Sequence, residues 1–182
     1  WKYGCSSRRK CVCNGRSTTF AWDGFGEFNP AELDAHVSVN VRSPALLIDR
    51  FTAEQDGSDD ALVANILDSK LAALNADYLS YTLSKQALYG LTELAARALA
   101  PKRIRVNGIA PGLMLRSSGQ SQENFDAMHA NNPLRRGVEA GDVAGALRYL
   151  IDAPCVTGQV LVVDSGQRFM ALGRDVQFLG EV

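Results

Sequence analysis

From residue 31 onward the chain alternates between helix-patterned stretches and apolar runs too short to be helices, which narrows the folds open to it. AELDAHVSVNVRSPALLIDRF follows Pro30, a residue suited to a first helical turn, and puts Leu33, Val37, Val41 and Ile48 at helical spacing over 31–52. Pro44 has no N–H to donate and is expected to disturb or divide that helix. The polar stretch EQDGSDD reads as a surface loop, and ALVANIL after it as a buried strand. Residues 78–100 predict a long helix stopped by Pro101, with Leu83, Ala87, Gly90, Leu91, Leu94 and Ala98 on related faces. RIRVNGI is the next strand, closed by APG, and 123–131 a short polar helix. A further helix over 140–151, with Asp142 placed to cap it, leads to a last strand, QVLVVD.

Helices and strands in strict alternation predict an α/β fold with a parallel sheet and helical crossovers. In such sheets chemistry collects at the carboxyl ends of the strands. Asp68, Pro111-Gly112 and Asp164 stand at those ends. A chain of 182 residues, 46% hydrophobic and 21% charged, can bury one domain core. A formal net charge of −1 gives no footprint for nucleic acid or an anionic membrane. No apolar run approaches the roughly 18 residues of a bilayer span, and the basic residues near the start lead into no apolar stretch. A soluble, cytoplasmic protein is expected. Of four cysteines, Cys11-x-Cys13 is too closely spaced for a usual zinc pair, and neither His36 nor His129 is near them in sequence. No metal site is expected.

Tyr81 and Lys85, in YTLSK, share one face of the helix predicted over 78–100, with Cβ atoms roughly 5–6 Å apart. An unperturbed phenol titrates near pH 10, too high for easy proton transfer at neutrality (about 10). A fixed ammonium and a helix N-terminus both favour phenolate and are expected to lower that value. Lysine has donors to spare for a sugar hydroxyl as well. The pair suits reduction of a carbonyl or imine, in which a proton must arrive on the side opposite a hydride. Taken alone, Tyr-x-x-x-Lys is also what a half-buried tyrosine beside a solvated lysine would give.

The surroundings carry more weight. YTLSKQALYGLTELAARALAPKRIRVNGIAPG, VSVNVRSP and VTGQVLVVDSG occur in an order and spacing that resembles the short-chain dehydrogenase/reductase family from about Trp22 to Gln167. The resemblance implies a Rossmann-like doubly wound parallel sheet. It also implies Tyr81 as catalytic acid/base, Lys85 as the residue binding the nicotinamide ribose, and Asn40 as part of a proton relay. Pro111, Gly112, Leu113 and Met114 match the turn at which the backbone meets the nicotinamide. Asn40 bonding only backbone, and Gly112 only shaping a turn, are the plain alternatives.

Two departures qualify that picture. Where the family usually has a serine about a dozen positions before the tyrosine, Asp68 and Ser69 stand here. An aspartate at that point resembles the pteridine reductase and dihydromonapterin reductase branch, which reduces a pterin ring with NADPH. The alternative is that Ser69 fills the serine role and Asp68 caps a loop. The second departure is the front of the chain. No glycine-rich turn between strand and helix precedes Asn40, so 1–21 reads as an atypical leading segment without a family match, and 22–182 as the C-terminal part of the family's domain. The fold is therefore expected to be N-terminally incomplete, lacking the dinucleotide-binding segment. The implied function is an NADP(H)-dependent oxidoreductase, with NAD(H) as the alternative cofactor. Another carbonyl or alcohol substrate, or a catalytically silent fragment retaining assembly surfaces, are the competing readings. The resemblance further implies a homodimer or homotetramer formed through helices 31–52 and 78–100.

Overall fold

The computed structural model describes residues 10–15, 21–117 and 119–179. Four parallel strands form one sheet in the order β1 (Lys10–Asn14), β2 (Ala61–Ile66), β3 (Ile104–Pro111), β4 (Val160–Val163). Helices α1 (Pro30–Val37), α2 (Ser43–Ala53) and α3 (Leu79–Leu99) cover one face, and α5 (Ala140–Asp152) the other, with α4 (Gln122–His129) beyond the end of β3. This is the Rossmann-like α/β arrangement expected of the sequence. The period-two pleat explains how one strand serves both faces. Ala61 and Val63 of β2 pack with Ile48, Phe51 and Ala95, while Leu62 points the other way to Ile109 and Leu150.

β1 was not foreseen. The sequence reading placed no strand ahead of residue 61, yet KCVCN lies in parallel register on β2, Cys11 opposite Leu62 and Asn14 opposite Asn65. Buried side chains extend the backbone ladder. Asn14 Nδ2 donates to Asn65 Oδ1 (2.8 Å), Asn65 Nδ2 to Thr92 Oγ1 (2.9 Å), and Thr92 Oγ1 to the Leu88 carbonyl (2.8 Å). The chain of bonds ties the edge strand through β2 to α3.

Two helical faces differ from expectation. Along α1 and α2 the buried positions are His36, Asn40, Pro44, Ile48 and Phe51, whereas Val37 is exposed. Four-residue spacing drifts by about 40° per step on a 3.6-residue helix. A wide π-helical turn over Ser38–Arg42 absorbs the drift and accommodates Pro44, so the helix is modified there rather than broken. On α3 the inward face carries Ser80, Ser84, Lys85, Leu88 and Thr92, while Leu83 and Leu94 face out. Of the positions that apolar periodicity picked, Leu91 packs on the core while Leu83 and Leu94 do not, because much of the inner face is polar and hydrogen-bonded. The predicted helix near Asp142 is present, with Asp142 Oδ2 accepting from the Glu139 N–H (2.9 Å). No helix among the described residues is long and apolar enough to cross a membrane.

Candidate active site

The carboxyl ends of the strands open on a cleft of about 610 Å³. Asp68 enters it directly after β2, Tyr81 and Lys85 from the first two turns of α3, and Pro111 to Met114 from the end of β3. Contacts across 56 and 57 positions build the start of α3: the Asp23 carbonyl accepts from Leu79 N–H, and the Asp23 side chain from Ser80 N–H (3.1 Å) and the Ser80 hydroxyl. Tyr78, immediately before, adopts a left-handed backbone with φ 55°. Asp23 thus occupies the helix N-terminus whose positive end was expected to act on Tyr81.

The Tyr81 hydroxyl donates to Asp68 Oδ2 at 2.6 Å. Asp68 Oδ1 accepts from the Lys70 N–H at 2.8 Å and caps the short 3₁₀ turn Ser69–Ala72. Asp68 therefore caps a loop and engages the tyrosine at once, one oxygen for each. Ser69 is buried and also lines the cleft. Lys85 Nζ donates to the Ile66 carbonyl (2.9 Å) and lies 5.7 Å from the Tyr81 ring centroid. Asn40 does not line the cleft. Its Nδ2 donates to Ser84 Oγ (2.9 Å), which donates to the Tyr81 carbonyl (2.7 Å), so it reaches Tyr81 through the helix backbone. The His36 ring meets the Tyr81 ring edge-on, with centroids 5.7 Å apart, a neighbour that sequence spacing did not single out.

The electrostatics reverse one expectation. Burial, then the charge and hydrogen bond of Asp68, and then the charge of Asp175 push the Tyr81 phenol well above its ordinary value. Burial likewise raises Asp68, against the pull of the Tyr81 and Lys70 hydrogen bonds. Burial lowers Lys85, which Asp68 opposes. The phenol therefore keeps its proton at neutral pH, hydrogen-bonded to a carboxyl whose own value is also raised.

The β3 exit is closely fitted. Gly112 N–H donates to the Val163 carbonyl (2.9 Å), and Leu113 N–H to Gln167 Oε1 (2.9 Å). A Cβ on Gly112 would stand 2.8 Å from Gln167 Oε1 and 3.0 Å from Asp164 Cα. Gly15, following β1, lines the same cleft. It carries no sequence signal, since nothing local marks the strand before it. Lys85 with donors in reserve, a side-chain-free backbone turn and an adjacent proton donor fit the nicotinamide-ribose half of a dinucleotide.

The comparisons with known proteins agree with this geometry. A family model described as Enoyl-(Acyl carrier protein) reductase matches residues 14–168. The chain belongs to the short-chain dehydrogenase/reductase family. Human Dehydrogenase/reductase SDR family member 4 is 34% identical over 141 residues, covering 73% of this chain and 50% of that protein. The 3-oxoacyl-[acyl-carrier-protein] reductase of Bos taurus is 42% identical over 86 residues, 47% of this chain and 36% of its own length. The chain spans about half the length, or less, of these curated relatives. Among solved structures, FolM Alternative dihydrofolate reductase 1 from Brucella suis, in complex with NADP, superposes with a TM-score of 0.83 at 37% identity, over 87% of this chain and 64% of that one.

Proposed function

We propose that this chain carries the proton-donating half of an NADP(H)-dependent reductase acting on a pterin-like substrate. The observation that carries the reading is the 2.6 Å bond from the Tyr81 hydroxyl to Asp68, where a family member would ordinarily use serine. The likeness to a dihydrofolate reductase of the FolM type supports the same substrate class. A bound nicotinamide would supply the hydride. Tyr81 releases its proton to the ring nitrogen of the substrate, and Asp68, which accepts from the phenol, holds its hydroxyl in place for that transfer. Lys85 holds the ribose hydroxyls, and Asn40 and Ser84 fix the backbone under Tyr81. Pro111 to Met114 form the nicotinamide wall.

The test is NADPH binding by the purified chain, followed by NADPH oxidation with dihydropterin and with simple ketones. Turnover of dihydropterin that disappears in Tyr81→Phe and in Asp68→Ala is expected. Turnover surviving Asp68→Ala would remove the aspartate from the mechanism, and a chain that binds no NADPH would favour the silent fragment. Assembly through the helices over 31–52 and 78–100 belongs to the same reading, with Leu46, Leu47 and Leu94 exposed there. Light scattering on the purified chain, expected to give a dimer or tetramer, tests it.

A further inference from the structure

The cleft has a wall that the residues above do not supply. The segment 171–179 runs beside it and contributes Leu172, Asp175 and Val176 to the lining. What holds it is one buried side chain on the far side of the sequence. Asp77 accepts from Arg174 Nε (2.8 Å to Oδ2, 3.1 Å to Oδ1) and from the Asp175 N–H (2.7 Å), with Trp22 Nε1 donating to Oδ1 at 3.0 Å. Lys70 Nζ bridges the same two regions, donating to the Asp77 carbonyl and to Asp175 Oδ2, the latter at 3.3 Å. Phe178 stacks on Tyr78 at 5.9 Å, and Arg174 lies over Phe178 at 4.8 Å.

We infer that residues 171–179 form a strap latched by Asp77, and that Asp175 is the group the strap presents to the substrate, selecting rings that offer adjacent N–H donors. The geometry argues for both parts. Asp77 sits four residues before Tyr81, so the latch ties the strap to the helix end that carries the proton donor. The bonds to Asp77 include two in the strap, and a two-pronged hold of this kind fixes orientation as well as position. Asp175 meets Lys70 and the Gln177 N–H only at 3.3 Å, leaving acceptor capacity on both oxygens. Its charge is felt by both Asp68 and Tyr81. A carboxylate lining the same cleft as the proton donor matches a ring with an amidine-like edge on one side and a reducible C=N on the other. It repels a ring with carbonyl oxygens at that edge. The selectivity part rests on the pterin reading above; the latch does not.

Two measurements test the proposal separately from turnover. Hydrogen exchange across 171–179 is expected to accelerate at least tenfold in Asp77→Asn and in Arg174→Gln, with β3 amides keeping wild-type protection. If Asp77→Asn loses β3 protection as well, Arg174→Gln decides the matter; unchanged exchange in the strap of Arg174→Gln overturns the latch. Binding of pterin and of lumazine, its 2,4-dioxo counterpart, is then compared by fluorescence with NADP present. Wild type is expected to favour pterin, and Asp175→Asn to cut that preference at least tenfold. A preference unaltered by Asp175→Asn, or no binding of pterin by wild type, overturns the role of Asp175. Pterin bound selectively but not reduced refutes the catalytic reading alone.

Discussion

Thr92→Val tests how the edge strand beside the cleft is held. Valine keeps the shape of threonine and puts a methyl where Thr92 Oγ1 now accepts from Asn65 Nδ2 at 2.9 Å. Asn65 is 0% exposed and Thr92 1%, so no water replaces the lost acceptor. A buried donor left unpaired costs about 1–3 kcal/mol. The Thr92 bond to the Leu88 carbonyl also goes, but an interior helix carbonyl keeps its backbone partner, and that loss is small. A destabilisation of about 2 kcal/mol follows, equivalent to a drop of about 1 M in the urea midpoint at a slope of about 2 kcal/mol/M. Thr92→Ser keeps the acceptor and is expected to lose less than half as much. Urea unfolding followed by circular dichroism measures both. A double-mutant cycle with Asn65→Ala is expected to return a coupling of about 1 kcal/mol or more. Equal midpoints for the valine and serine variants would refute the reasoning, since the hydroxyl would then carry no part of the anchoring.

Tyr81→Phe is expected to lower turnover by about 10²–10⁴ while leaving NADPH binding in place, as measured by steady-state rates against a cofactor titration. Gly112→Ala forces its methyl onto Gln167 Oε1, 2.8 Å away, and breaks the Leu113 bond; a loss of about 1–3 kcal/mol in unfolding and weaker cofactor binding are expected. Burial raises Asp68 in the folded protein, so its contribution is fully present below the ordinary carboxylate value and is lost as pH rises through the raised one. Urea midpoints of Asp68→Asn should lack that decline. Asp77 behaves oppositely. Burial raises it, but Arg174, the Asp175 N–H and Trp22 outweigh burial and hold it at about 2. Its contribution is complete above the ordinary value and fades as pH falls toward 2, so the midpoint gap between wild type and Asp77→Asn should be constant at neutral pH and shrink below about 4.

How much of this was legible depended on how local each signal is. The central strands could be read because β2 is a nearly continuous apolar run and β3 sets Ile104, Val106, Ile109 and Ala110 among few polar residues, both strands being buried on both faces. Tyr81, Lys85 and Asp68 could be read because one helix and the strand end before it bring them together within 20 residues. β1 could not. Five residues without flanking periodicity become a strand only through pairing with β2 and the Asn14–Asn65 bond, both contacts across 51 positions. The strap eluded the sequence for the same reason, its latch spanning 97 and 98 positions. The expected lowering of the Tyr81 phenol failed because the fold buries the hydroxyl and sets Asp68 against it, and neither burial nor that contact can be read from the Tyr-x-x-x-Lys spacing.

The π-helical turn over Ser38–Arg42 also sets how the chain can vary. It fits one residue more than an α-helical turn would hold, and an α-helix rotates about 100° per residue. Removing one residue from 38–42 would turn the wide turn into an α-helical one and leave α1 and α2 presenting nearly the same faces, so that Ile48 and Phe51 keep their core places and the Asn40 bond to Ser84 is the contact at risk. Adding a residue there, where the slack is already taken up, would rotate α2 by about 100° relative to α1 and carry Ile48 and Phe51 out of the core. The segment can give up one residue but cannot take another.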